Sequence, residues 1–280
     1  MKIFISVDME GIHGAVSWSD MEANGRHAVY QNAWDELAWI IEGIRASSKN
    51  GEIEEICVCD SHSRGEGLPI QGFGDPRVTM VRGYPRPFYM LEGLDSSYDL
   101  LMLVGYHAKI GSFHGMMDHT YSSSAIYRIM INSTEVSEAD INALLASWYG
   151  VPVGFVSGDD ILEKEIMERF AICPIFVRTK EGLGRFSGKM YAPEKLKLLF
   201  EQGARQAVES IDVFKPAQIP DVLTLRIDMI STVAADAVSV IPGLMRDGGR
   251  TVEYITSDMV SAYRMIHAVA MLGSKFAAYL

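Results

Sequence analysis

Two acidic residues near the amino terminus, Asp8 and Glu10, are spaced so that their carboxylates can act together. They follow an apolar run at residues 3–5 that predicts a buried strand, in which residues i and i+2 point to the same face. Two like charges this close repel each other, so either one carboxylate is protonated or a cation lies between them. Gly11 allows the chain to turn directly afterwards. The pair is therefore the first candidate for a metal site.

Histidines follow two further predicted strands at the point where each strand ends. His62 comes after the strand predicted at residues 54–59, and His107 follows the apolar strand predicted at residues 99–105. A lone histidine is more often a hydrogen-bonded structural residue than a metal ligand. The carboxyl ends of parallel strands lie at one edge of a sheet, so both histidines can converge on the acidic pair. This agreement of three strand ends favours a metal site.

A further carboxylate at the start of a predicted helix, from Glu135 or Glu138, brings the number of possible ligands to five. Mixed aspartate, glutamate and histidine donors suit zinc, manganese or cobalt. Five donors exceed what one catalytic zinc uses while keeping a water position, and they suit two ions that share a carboxylate. Such a pair activates water and polarises a carbonyl or phosphoryl oxygen. The residues therefore predict a hydrolase with two metal ions.

The elements that position these residues follow an α/β pattern. A strand, a helix predicted at residues 26–49 and a second strand form a βαβ unit, whose strands are expected to be parallel. We expect residues 1–190 to form a parallel-sheet, three-layer αβα catalytic domain and residues 191–280 a smaller α+β lobe. The remaining predicted elements are strands at 78–82, 126–131, 151–157, 222–227 and 250–255, helices at 85–94, 160–170, 193–211, 231–240 and 257–272 (capped by Ser257), and a loop at 182–188.

Composition limits the partners and the compartment. The formal net charge of −11 argues against nucleic acid or an anionic membrane as the main partner. No apolar stretch reaches the ~18 residues that a membrane span needs, and the amino terminus is typical of a strand rather than a signal peptide. Three cysteines without a framework spacing suit a reducing compartment, so we expect a cytoplasmic protein.

Several other polar residues have no placement that points to chemistry. His13, His27 and His267 do not follow predicted strands, and we expect them to be structural. Asp159 and Asp160 follow a predicted strand and fit either an accessory ligand pair or a helix N-cap.

Four short motifs, taken in their order along the chain, carry a resemblance to a known family. They are residues 6–11 (Ser-Val-Asp-Met-Glu-Gly), 60–63 (Asp-Ser-His-Ser), 105–108 (Gly-Tyr-His-Ala) and 117–119 (Met-Asp-His). Their order and near spacing resemble the M55 peptidases, the D-aminopeptidases of the dipeptide-transport-operon type. Residues 131–143 and 156–160 also resemble landmarks of this family, so the resemblance covers most of the chain.

The resemblance implies a dinuclear zinc aminopeptidase. Asp8 would bridge the two ions, Glu10, His62, His107 and Glu138 would complete the ligands, and His119 would be the catalytic histidine, as nucleophile or general base. Family substrates are short peptides with a free amino terminus, such as D-Ala-D-Ala, and family members form decameric rings whose sites face an inner channel. His114 competes with His119 for the catalytic role, and Glu135 competes with Glu138 as ligand.

Two other functions fit the same residues. A dinuclear phosphoesterase also uses aspartate and histidine at a sheet edge, and Arg64, Arg82, Arg86 and Arg128 are possible phosphate ligands, although none lies in a Gly-rich phosphate loop. A metal-dependent peptide-binding protein without catalysis is the third possibility. Peptide hydrolysis is the function that we expect.

Overall fold

The computed structural model describes residues 1–22, 26–70 and 73–276. Residues 23–25, 71–72 and 277–280 lie outside the described residues. The side chain of His27, which was expected to be structural, is not described either. The strands are β1 (Lys2–Val7), β2 (Glu55–Asp60), β3 (Val78–Val81), β4 (Leu100–Tyr106), β5 (Ile126–Ile131), β6 (Thr134–Glu135), β7 (Val153–Asp159), β8 (Ile175–Gly184), β9 (Ser187–Met190), β10 (Leu223–Met229), β11 (Met245–Arg246) and β12 (Thr251–Thr256).

The helices alternate with the strands through most of the chain. They are α1 (Arg26–Arg45), α2 (Glu138–Trp148), α3 (Asp160–Arg169), α4 (Pro193–Glu209), α5 (Thr232–Val238) and α6 (Met259–Ser274), with short 3-10 turns at Trp18–Met21, Asn50–Glu52 and Tyr89–Leu91. Within the described residues, no helix combines the length and the apolar character that crossing a membrane requires.

The larger sheet has seven strands in the order β3-β2-β1-β4-β7-β8-β9. Its strands are parallel except for β9, which returns antiparallel to β8. Alternate residues of β1 point to opposite faces, so Ile3 and Ile5 pack with Leu37 of α1, whereas Phe4 belongs to the core on the other face, with Leu162 of α3. The predicted α/β class with a parallel sheet between helices is confirmed.

The smaller sheet has five antiparallel strands in the order β11-β12-β10-β5-β6. Helices α5 and α6 pack against each other and against this sheet. Its strands β5 and β6 come from before residue 190, while α4, which comes after that residue, packs on α1 beside the larger sheet. The division into a domain of residues 1–190 and a lobe of residues 191–280 stays a prediction.

Three local expectations were wrong. Residues 182–188 are not a loop, because they end β8 and begin β9; the three glycines in that segment hid the hairpin. The helix expected at 85–94 is only the short turn Tyr89–Leu91. The N-cap of α6 is Asp258 rather than Ser257, since the Asp258 carboxylate accepts hydrogen bonds from the backbone N–H groups of Val260 and Ser261.

Candidate metal centre

The predicted site residues meet where three adjacent strands end. Because β1 lies between β2 and β4, the carboxyl ends of these strands are neighbours at one sheet edge. All five predicted ligands are buried or nearly so. Asp8 and Glu10 follow β1, His62 follows β2, His107 follows β4, and Glu138 is the first residue of α2.

Two glycines allow the ends of β1 and β4 to approach each other closely. The Gly11 N–H donates to the Gly105 carbonyl at 2.7 Å. A Cβ atom on Gly11 would lie 1.9 Å from the carbonyl oxygen of Tyr106, and one on Gly105 would lie 2.4 Å from that of Asp8. Gly105 also has φ +70°, in the left-handed region that favours glycine. A side chain at either position would therefore push Asp8 away from His107.

Asp8 faces histidines on both sides. Its Oδ1 atom lies 3.2 Å from Nδ1 of His62, and its Oδ2 atom lies 3.5 Å from Nε2 of His107. Glu10 Oε2 lies 3.1 Å from the same His62 nitrogen, and Glu138 Oε1 lies 3.4 Å from the same His107 nitrogen. Asp8 is thus placed between a His62–Glu10 group and a His107–Glu138 group.

The hydrogen bonds of His107 indicate which of its nitrogens is free to bind a cation. Its Nδ1 lies 2.9 Å from the Ala108 carbonyl oxygen, which only accepts, so Nδ1 carries the proton. In the neutral ring Nε2 then has a lone pair directed at the carboxylates of Asp8 and Glu138. Within the described part of the chain, neither His107 Nε2 nor Asp8 Oδ2 has a hydrogen-bond partner, although both are buried. Such converging orphaned atoms fit a metal ion.

His119 joins the same cluster. Its ring stacks on that of His107, with centroids 4.1 Å apart and planes 11° apart. Its Nδ1 donates to the Met117 carbonyl at 3.0 Å, so Nε2 is free; this nitrogen lies 3.7 Å from Glu138 Oε1 and 3.9 Å from Glu10 Oε1. His107, His119 and Glu138 could together hold one ion, as could Asp8, Glu10 and His107. His119 is therefore close enough to be a ligand or to exchange a proton with substrate.

The two competing residues lie elsewhere. His114 is exposed and stacks on Phe113 at 3.9 Å, and Glu135 lies in β6, opposite Met130. Among the described residues, neither belongs to the two groups of side chains that could hold a metal ion, and His62 lies outside both groups as well.

The shifted pKa values in the cluster indicate that it favours a positive charge. Burial and the charges of Glu10 and Glu138 outweigh the neighbouring histidines and raise the pKa of Asp8 to about 7. Burial lowers the pKa of His107, but Glu138 and Asp8 outweigh it and raise that pKa to about 10. Burial and the nearby His107 lower the pKa of His119. The three buried carboxylates thus favour protonation of the site, and a divalent cation would neutralise the same negative charge.

Two buried cations hold the loops of the site, a role that the sequence did not predict for either of them. Lys180 of β8 is fully buried, and its ammonium donates to the carbonyl oxygens of Glu10 at 2.5 Å, Ile12 at 3.1 Å and Ala15 at 2.7 Å. Lys180 therefore fixes the segment that follows β1. The sequence does not predict this role, because the carbonyls that Lys180 holds lie 165–170 positions earlier in the chain.

Arg86 has the equivalent position beside β2. It is buried and donates to the carbonyl oxygens of Asp60, Ser61 and Ser63, which fixes the segment that carries His62. Arg86 is one of the possible phosphate ligands of the phosphoesterase alternative. Its engagement with the backbone means that it supports His62 instead.

A buried hydrogen-bond network lies beneath the site. Ser6 in β1 bonds to the hydroxyl of Tyr106 in β4 at 2.6 Å, and the Asn142 amide in α2 donates to the same hydroxyl at 2.9 Å. Tyr263 of α6 donates to Asn142 Oδ1 at 2.9 Å. The network therefore ties α2, which carries Glu138, to the strands of the site and to the smaller sheet's helix.

The remaining polar residues have structural surroundings. His13 pairs with the buried Glu36 at 2.8 Å, and His267 stacks on Tyr89 with centroids 4.7 Å apart. Asp159 caps α3, since its Oδ1 accepts from the Leu162 N–H at 2.8 Å. The N-cap alternative for this residue is confirmed.

Comparison with known proteins agrees with this geometry. The sequence model of the M55 peptidase family, which is described as D-aminopeptidase, matches residues 1–268. The chain belongs to the M55 peptidase family. This M55 peptidase is 29% identical over 276 residues to a D-aminopeptidase of Bacillus subtilis (strain 168), covering 98% of each chain. Among solved structures, it is similar to the "Zn-dependent D-aminopeptidase DppA from Bacillus subtilis, a self-compartmentalizing protease", with a TM-score of 0.90, 29% identity and 98% of each chain covered. The predicted family and the predicted metallo-aminopeptidase are confirmed.

Proposed function

We propose that this M55 peptidase is a dinuclear zinc aminopeptidase that removes the first residue from short peptides of D-amino acids. One observation carries the proposal. Asp8 Oδ2 and His107 Nε2 are buried, face each other at 3.5 Å and have no hydrogen-bond partner within the described residues. Two such atoms are stable side by side only with a cation or an extra proton between them.

The proposed ligands are Asp8, Glu10, His62, His107 and Glu138. Two ions are proposed because the two oxygens of Asp8 face different histidines, so one carboxylate can serve both ions. Zinc is proposed because these donors suit it and because DppA, which has the same fold, is Zn-dependent. When bound, zinc supplies a Lewis acid that polarises the scissile carbonyl and lowers the pKa of water to about 7.

His119 is proposed to move the proton of the reaction. A cavity of about 280 Å³, which we call the central cavity, is lined by Asp8, Glu10, Glu138 and His119. The Nδ1–H of His119 is held by the Met117 carbonyl, which leaves the Nε2 lone pair available in this cavity. Nε2 accepts the proton of the attacking water as the C–O bond forms, and it donates that proton to the leaving nitrogen as the C–N bond breaks. The products are a free amino acid and a shortened peptide or second amino acid.

Assembly and location are proposed on other grounds. DppA is a self-compartmentalizing protease, and we propose that this chain also forms a homo-oligomer, a ring of about ten subunits whose sites face an internal channel. Cys57, Cys59 and Cys173 are free thiols, which suits the reducing cytoplasm. The mass of the assembled protein in solution measures the subunit number.

The test compares a D-peptide with its rivals on one zinc-loaded preparation. We expect hydrolysis of D-Ala-D-Ala and no hydrolysis of a phosphodiester. Tight dipeptide binding without hydrolysis would favour the peptide-binding alternative, and hydrolysis of the phosphodiester alone would favour the phosphoesterase.

The role of His119 is tested by two substitutions in the same loop. His119→Ala is expected to lower kcat by about 10²–10⁴-fold with unchanged zinc content, whereas His114→Ala, at an exposed position, stays within about twofold of the unsubstituted enzyme. Retained activity in His119→Ala would overturn the proton role. Loss of zinc together with activity would instead identify His119 as a ligand.

A further inference from the structure

Two further cavities adjoin the central one, and each shares lining residues with it. A cavity of about 300 Å³ shares Trp18 and His62 with the central cavity. A larger cavity of about 440 Å³ shares Tyr89 and Tyr121 with the central cavity, and it shares Arg64 with the first. We refer to this larger space as the aromatic cavity, because Tyr84, Tyr89 and Tyr121 line it.

The aromatic cavity lies between the two sheets' elements, and its walls are tied together. Helix α6 and Lys275 after it form one wall, and the segments that follow β2, β3 and β4 form the other. His267 of α6 stacks on Tyr89, and the Tyr84 hydroxyl lies 2.5 Å from Met271 Sδ. These contacts indicate a preformed space, and its volume falls in the range of small-molecule sites, roughly 300–1,000 Å³.

The charge of the aromatic cavity is opposite to that of the central cavity. Its lining includes the cations Arg64 and Lys275, and no aspartate or glutamate is among the described residues that line it. Within residues 1–22, 26–70 and 73–276, Lys275 forms no salt bridge with a carboxylate, whereas Arg64 lies 3.2 Å from Glu66. A cationic space beside a carboxylate-rich centre, in a chain of net charge −11, suits an anionic group of the substrate.

We propose that the aromatic cavity binds the residue on the leaving side of the scissile amide. Its α-carboxylate lies toward Arg64 and Lys275, and its apolar or aromatic side chain lies against Tyr84 and Tyr89. The substrate class is therefore the dipeptide with a free carboxylate and a bulky second residue. This inference rests on the proposed aminopeptidase function and adds the direction in which the peptide lies.

The test uses D-Ala-D-Phe with a free carboxylate and the same peptide as its carboxyl-terminal amide. We expect kcat/KM for the acid to exceed that for the amide by at least about tenfold. In the double variant Arg64→Gln/Lys275→Gln, this ratio falls to within about twofold of one. Lys197→Gln, which removes an exposed lysine of α4 paired with Glu201, leaves the ratio unchanged. An acid-to-amide ratio near one in the unsubstituted enzyme, or an undiminished ratio in the double variant, overturns the proposal.

A second variant tests the aromatic wall independently of charge. Tyr84 is partly exposed, so Tyr84→Ala is expected to fold, and it should lower the preference for D-Ala-D-Phe over D-Ala-Gly by about fivefold. An unchanged preference contradicts the placement of the side chain.

Failure of the proposed function has a different signature from failure of this inference. If the zinc-loaded protein hydrolyses neither peptide, the aminopeptidase proposal fails. Calorimetric binding of the two peptides to the same protein then still tests the cavity: affinity at least about tenfold higher for the acid supports it, and equal affinity overturns it.

Discussion

Replacing Lys180 by methionine tests how the segment that carries Glu10 is held. Methionine has a similar length and no charge, so the variant removes the ammonium and little else. The ammonium donates to three backbone carbonyl oxygens between residues 10 and 15, at 2.5, 3.1 and 2.7 Å. All three residues that carry these carbonyls are buried, so water cannot replace the lost donor without a local rearrangement.

The expected magnitude follows from two opposing contributions. The carbonyls of Glu10 and Ala15 would be left without a donor, at about 2 kcal/mol each. The Ile12 carbonyl keeps the Ala15 N–H at 3.2 Å, so its lost hydrogen bond costs about 1 kcal/mol, and the total is about 5 kcal/mol. The ammonium has a cost of its own, because burial lowers the pKa of Lys180 to about 8 although Asp159 and Glu36 raise it. That depression corresponds to about 3 kcal/mol, which the methionine variant regains. We therefore expect Lys180→Met to lower the free energy of unfolding by about 2 kcal/mol.

Urea denaturation of the metal-free protein measures this loss directly, and zinc titration of the folded variant measures its effect on the site. The matched control is Lys189→Met in the same hairpin, whose side chain is 65% exposed and lies 3.3 Å from Glu181; a change below about 0.5 kcal/mol is expected there. We also expect zinc affinity to fall about tenfold or more in Lys180→Met only. A loss of stability below about 1 kcal/mol in Lys180→Met, with unchanged zinc affinity, would refute the role given to this residue.

Two further predictions concern metal content and pH. Asp8→Asn is expected to lose nearly all zinc, whereas Glu10→Gln keeps about one ion, since Asp8 lies within 3.5 Å of both His62 and His107 and Glu10 lies that close only to His62; equal loss in elemental analysis would contradict this division. Burial and the Arg86 charge lower the pKa of His267 to about 4, below its unfolded value, so its contribution to stability is present above pH 6.5 and is lost as pH falls toward 4. Between pH 7.5 and pH 5 this loss is about 2 kcal/mol, and denaturation of His267→Gln should show a pH dependence weaker by that amount.

The strand ends of the site could be predicted because their signals are local. Apolar runs indicate where a strand ends, and the parallel arrangement then places Asp8, His62 and His107 at one edge without knowledge of any contact. The order β2-β1-β4 brings these residues together as expected. The family resemblance singled out Glu138 and His119, and the structure places both side chains in the same cluster.

The supports of the site could not be predicted, because they depend on contacts between distant residues. Lys180 holds carbonyls about 165–170 positions earlier in the chain, and nothing in its neighbouring residues indicates those partners. Strand β5 has the pattern of any buried strand, yet it pairs with β10, about 100 residues later, rather than with the larger sheet. Sheet membership of a short apolar strand is set by the whole fold and not by its own sequence.

The central claim is that the buried cluster around Asp8 holds two zinc ions that hydrolysis requires. Elemental analysis of the zinc-loaded protein after dialysis, with D-Ala-D-Ala hydrolysis followed on the same sample, tests it most directly. We expect about two zinc ions per chain, loss of hydrolysis on chelation and its return as about two equivalents are added. A protein that retains full hydrolysis after its metal is removed, or that binds no zinc at this site, would contradict the claim.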